Sequence, residues 1–119
     1  MRDFELPGRS AVHGTHGMAA TPHPLATLTA IDVLRTGGNA MDAAVAANAV
    51  LGVVEPAMSG IGGDCVVLYV PKGGPKVHAF IGLGRTPAAA HLAWYKDKGI
   101  DKAPPFSPHV VAMPALVDA

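Results

Sequence analysis

The sequence predicts a layered α/β fold with an antiparallel strand pair at its middle. Residues 40–54 are small and apolar apart from Asp42, Asn48 and Gly52. A helix that is apolar on every side is buried on every side. Residues 65–70 (CVVLYV) are continuously apolar, the pattern of a strand covered on both faces. Between them stand the Glu55-Pro56 stop and glycines at 60, 62 and 63, which permit turns that a side chain would forbid.

Composition sets the outer limits. At 119 residues, one domain is expected. Half the residues are hydrophobic and 15% are charged, a great deal of apolar surface for so short a chain to cover alone. The formal net charge is zero, which gives no footing for a nucleic-acid or acidic-membrane partner. A single cysteine excludes an internal disulfide framework and fits a reducing compartment. The N-terminus, MRDFELPGRS, lacks the apolar core of a secretory signal, and the uncharged run 43–54 is too short to span a bilayer. A soluble, cytoplasmic protein is expected.

In chain order, residues 1–20 read as an extended arm. His13 and His16 have H-x-x-H spacing, but in a glycine-rich segment that lacks the helical H-E-x-x-H zinc pattern. Together with His23 they read as loop histidines. Thr21-Pro22-His23-Pro24 opens a first helix, with Leu25, Leu28, Ile31 and Leu34 on one face and Gly37-Gly38 as its stop. Asn39 then caps the helix over residues 40–54, and Pro56 ends it by disfavouring helical geometry at Glu55. After strand 65–70 and the turn Pro71-Lys72-Gly73-Gly74-Pro75, residues 76–82 pair back antiparallel. Val77, Ala79 and Ile81 fall on one face of that strand, His78 and Phe80 on the other. A third helix is expected over residues 87–98, capped by Thr86, with Pro87 at its first position and Gly99 as its stop. A Pro-rich loop leads to a strand-like segment at 109–113. Pro114 then announces a helix that the remaining residues cannot deliver, so a truncated chain is expected.

Candidate chemistry is sparse. The glycines at 60–63 lie between a helix and a strand, the reverse of a phosphate loop's context, and no G-K-[ST] occurs. Cys65 opens an apolar strand with no basic neighbour to activate it, so it reads as a packed thiol. Ser59 and Asp64 flank the glycine loop, where capping accounts for both. Arg85 is the candidate binding residue. Just before the expected helix N-terminus it would add a bidentate guanidinium to an anion-favouring dipole; the alternative is a surface arginine paired with a neighbouring acid.

The motifs themselves resemble a known family. G-G-N-A-x-D-A-A-V-A-A stands at residues 37–47, G-V-V-E-P at 52–56 and S-G-I-G-G at 59–63, followed by GRTPAAA at 84–90 and MPALVDA at 113–119. In this order they resemble the N-terminal core of the gamma-glutamyltranspeptidases, over essentially the whole chain. The resemblance implies a segment of a four-layer αββα N-terminal-nucleophile hydrolase, made as a precursor that cleaves itself into two subunits. It further implies attack by the new N-terminal threonine on a gamma-glutamyl amide, without metal or organic cofactor, and acyl transfer to water or an amino acid. Both that threonine and the oxyanion glycines belong to the small subunit, outside these residues. Its partners would be the remainder of the large subunit, the small subunit and a small acyl-amide substrate. Thr15-His16 imitates the threonine motif in the wrong place, so no residue here is assigned a catalytic role. The family arginine that holds the substrate's α-carboxylate lies four residues before a proline in an F-R-E-x-A-P context. Leu83 has that spacing here, while Arg85 lies two before Pro87, closer to a branch with G-R-A-P. A glutaryl-type acylase would share every motif, and a non-catalytic short product is the third reading.

Overall fold

The computed structural model describes residues 11–111 and 113–118, so expectations for residues 1–10 lie outside it. The elements are α1 (Pro24–Arg35), α2 (Ala40–Val54), β1 (Cys65–Tyr69), β2 (His78–Gly82), α3 (Leu92–Asp97) and two 3-10 turns, η1 (Pro108–Val110) and η2 (Leu116–Asp118). They fall into two compact units divided between Val50 and Leu51. No described helix is long and apolar enough to cross a membrane.

Helix α1, in the first unit, and α2, whose residues after Val50 belong to the second, form where the sequence places them. The His23 Nδ1 accepts from the Leu25 N–H at 3.2 Å and caps α1. At the other end Gly37 is left-handed, with φ 97°, and the Gly38 N–H reaches back to the Val33 carbonyl at 2.9 Å. This closure satisfies a helix's last carbonyls and favours glycine at the left-handed position. Asn39 and Asp42 then form a reciprocal cap on α2. The Asn39 Oδ1 accepts from the amides of Met41 and Asp42, while Asp42 Oδ2 accepts from the Asn39 N–H at 2.9 Å.

Burial departs from expectation. The buried hydrophobic residues are Ala26 and Ala30 on α1 and Ala43 and Ala47 on α2, each pair one turn apart. Leu25 and Leu28, expected to face inward, are exposed, because the small residues of α1 hold its close-contact face. Nor is α2 buried all round: Val45 and Val53 are exposed.

In the second unit β1 and β2 pair antiparallel in one two-stranded sheet, with Val66 opposite Ile81, Val67 opposite Phe80 and Leu68 opposite Ala79. Directly paired residues share a face. Cys65, Val67 and Tyr69 are half-buried on one side. On the other, Val66, Leu68 and Ile81 are 67%, 74% and 68% exposed. The double coverage expected for 65–70 is therefore absent among the described residues. β2 also starts two residues later than expected, at His78.

The third helix is shorter than the sequence suggests. Pro87 to Ala90 closes a single turn, the Ala90 N–H donating to the Pro87 carbonyl at 2.8 Å. His91 then becomes extended (φ −112°, ψ 158°), and its Nδ1 accepts from the Trp94 N–H to start α3 at Leu92. Neither Thr86 as cap nor Pro87 as first helical residue holds. The Gly99 stop does: its φ is 67°, and the Ile100 N–H donates to the Tyr95 carbonyl at 2.9 Å. The strand expected at 109–113 begins instead as η1, where Pro108 sets helical φ and the Val110 N–H donates to the Ser107 carbonyl at 3.2 Å.

Candidate functional site

Three motif segments distant in sequence meet in the second unit. The Leu116 N–H donates to the Gly63 carbonyl at 3.1 Å, tying MPALVDA to the glycine loop. Gly84 lies against the backbone of Met113, tying the same segment to the arginine loop. The last turn of α2 flanks the glycine loop too, since a Cβ on Gly52 would stand 3.8 Å from the Gly60 Cα.

Beside this junction is an open cleft of about 730 Å³. Leu83, Gly84, Thr86 and Pro87 form one wall; Trp94 and Tyr95 of α3 form another; His109, Val111, Met113 and Asp64 complete it. Asp64, which follows the glycine loop directly, is part of this lining. Trp94 and Tyr95 meet edge to face at 5.1 Å, and the His109 ring lies 5.7 Å and 5.6 Å from them. Such aromatic contacts fix ring orientation as well as burying area. Sequence reasoning missed this trio. Its one local signal is the adjacent Trp-Tyr pair on a short helix; the contact with His109 depends on the intervening loop.

Arg85 is exposed at the rim, between two cleft-lining residues, and makes no hydrogen bond or ion pair with the described residues. It does not stand at a helix N-terminus. α3 begins at Leu92, so the dipole that was to reinforce its anion affinity is not beside it. Any anion affinity at Arg85 would therefore rest on its own charge and fork geometry.

Among the described residues, no hydrogen bond joins a nucleophile to a base in the cleft. Thr86 and His109 both line it, but no hydrogen bond joins them among the described contacts. The Thr15 Oγ1 lies 2.9 Å from the His16 Nδ1 on the exposed arm, in the other unit. Cys65 is a half-buried free thiol. Among the described residues, no three His, Cys, Asp or Glu side chains are placed to hold a metal.

The glycines of the 60–63 loop were expected to serve tight turns. None has a left-handed φ. A Cβ at Gly60 or Gly62 would meet nothing within 4 Å, and one at Gly63 would make ordinary contact with the Gly60 carbonyl. Among the described residues neither conformation nor space demands glycine there.

Residues 26–119 match the model of the gamma-glutamyltranspeptidase family. The chain belongs to that family. It is 47% identical over 97 residues to the glutathione hydrolase proenzyme of Bacillus subtilis, covering 82% of this chain and 16% of that protein. It is 51% identical over 63 residues to the oxamate amidohydrolase proenzyme of Klebsiella pneumoniae, covering 53% of this chain and 12% of that protein. The chain thus spans less than a fifth of either curated relative. Among solved structures, the gamma-glutamyltranspeptidase of Helicobacter pylori superimposes with TM-score 0.76 at 31% identity, over 92% of this chain and 32% of that one. As a gamma-glutamyltranspeptidase family member the chain is a mixed helix and strand segment of an enzyme fold, with an antiparallel pair as its sheet.

Proposed function

We propose that these residues form the N-terminal part of the large subunit of a self-cleaving gamma-glutamyltranspeptidase-type enzyme with the four-layer αββα architecture. The parent cleaves gamma-glutamyl amides and passes the acyl group to water or to an amino acid. Its N-terminal threonine lies outside this chain, with the threonine's own amine as base and small-subunit donors for the developing oxyanion. These 119 residues alone are inactive, and their role is scaffold and substrate binding. Arg85 takes the donor's carboxylate. No metal or organic cofactor is assigned, and the parent works in the cytoplasm.

The observation that carries this reading is the junction of the glycine loop, the arginine loop and MPALVDA around Gly63, Gly84, Met113 and Leu116. Three motifs that are separate in sequence support one another at one edge of one cleft.

The second reading is a related acylase, acting on a glutaryl-type amide with the same machinery. Similarity to an oxamate amidohydrolase favours keeping it, since that relative's name contains no gamma-glutamyl group. Chromogenic gamma-glutamyl and glutaryl anilides, offered to the intact enzyme, separate the two. The first reading expects preferential turnover of the gamma-glutamyl anilide; selective turnover of the glutaryl one transfers the assignment to the acylase. A purified short product with no longer parent would leave only the non-catalytic reading.

A further inference from the structure

We propose that Gly84 is a positioning residue for Arg85, because the chain at Met113 crosses the arginine loop where only a glycine leaves room. The inference rests on the reading of Arg85 as the ligand of the donor's carboxylate.

Gly84 is not among the left-handed glycines, so its backbone conformation is open to any residue. Space is what excludes them. A Cβ at Gly84 would overlap the Met113 Cβ and carbonyl oxygen, and would stand 2.7 Å from the Met113 carbonyl carbon. These are main-chain atoms and a Cβ, not the far end of a side chain that could swing aside. Accommodating even a methyl group must therefore move one of the two segments.

The two are not equally free. The segment that carries Met113 is fastened by the Leu116 N–H bonded to the Gly63 carbonyl. Arg85 and Thr86 are exposed and take part in no described hydrogen bond. The displacement falls on the arginine loop, and a shift of about one ångström is enough to misalign a positioned group. By contrast, a methyl group at Gly60 or Gly62 meets nothing within 4 Å among the described residues, which makes Gly62→Ala a control on the neighbouring loop.

The test uses the intact enzyme with a gamma-glutamyl anilide, comparing Gly84→Ala, Arg85→Ala, the double variant and Gly62→Ala. A variant that merely loses folded protein lowers kcat and leaves KM alone. Gly84→Ala should raise KM at least about tenfold while kcat stays within about threefold. The double variant should be no worse in KM than Arg85→Ala alone, because Gly84 acts through that arginine. If Arg85→Ala leaves KM unchanged, the carboxylate reading fails and this proposal goes with it. If Arg85→Ala raises KM but Gly84→Ala does not, or the two losses add in full, only the positioning role is overturned. Should Gly84→Ala fail to fold, Met113→Gly loosens the same contact from the other side. A several-fold rise in KM then supports the proposal, and an unchanged KM refutes it.

Discussion

The amide of Leu116 donates to the carbonyl of Gly63 at 3.1 Å, across 52 intervening residues. That bond fastens the C-terminal segment to the glycine loop, and Gly84 packs on the same segment at Met113. The arginine loop is thus held in place from behind, while Arg85 itself stays in solvent at the rim of the cleft.

Glycines in the two loops should respond differently to alanine. At Gly62 there is open space and no left-handed φ, so Gly62→Ala should leave stability unchanged or raise it by about 0.4–1 kcal/mol. At Gly37 the φ of 97° makes the same substitution cost about 1–2 kcal/mol. Denaturant titration of the intact protein checks both; equal losses at the two sites would refute the loop geometry.

The reciprocal cap on α2 predicts a graded pair. Asn39→Ala removes the acceptor for the Met41 and Asp42 amides and should cost about 1 kcal/mol. Asp42→Ala removes only the acceptor for the Asn39 N–H and should cost less. The order of the two melting temperatures is the readout.

Phe106 sits at φ 61° with its ring fully exposed. It follows Pro105 in a turn closed by the Ser107 N–H on the Pro104 carbonyl at 3.3 Å, a position that ordinarily favours glycine. Relief of a left-handed side chain, less the added freedom of the unfolded chain, leaves a small gain. Phe106→Gly should stabilise by roughly 0.5–1 kcal/mol. A loss on the same scale would mean that the ring is covered in the intact protein.

The exposed sheet face makes the isolated 119-residue chain self-associating. Val66, Leu68 and Ile81 form a contiguous apolar patch on a sheet of only two strands, and two-stranded sheets are marginal alone. Sedimentation should give dimers or larger species, reduced by Leu68→Lys with Ile81→Lys. A monodisperse monomer with a sharp, cooperative melt would contradict this.

Local signals were the legible part of the fold. Asn39, Glu55-Pro56 and the glycines at 37 and 99 mark helix ends by mechanisms confined to a few residues, and each works where the sequence places it. The start of α3 was not legible. Thr86-Pro87 is a stronger start signal than His91, yet the turn at Pro87 closes after one step and His91 caps instead. That shift removed the dipole from beside Arg85 while leaving the arginine at the cleft rim. Burial misled most: 65–70 reads as a doubly covered strand, and one of its faces has no cover among the described residues. The meeting of Trp94, Tyr95 and His109, like that of Gly84 with Met113, depends on loop paths that no periodicity encodes.

The central claim is that these residues belong to the large subunit of a self-cleaving enzyme. Its most direct test is the intact mass of the polypeptide that carries this sequence in its native source. The account predicts two subunits from a much longer precursor, with this sequence in the larger and a threonine at the N-terminus of the smaller. A single species near 12.1 kDa would contradict it.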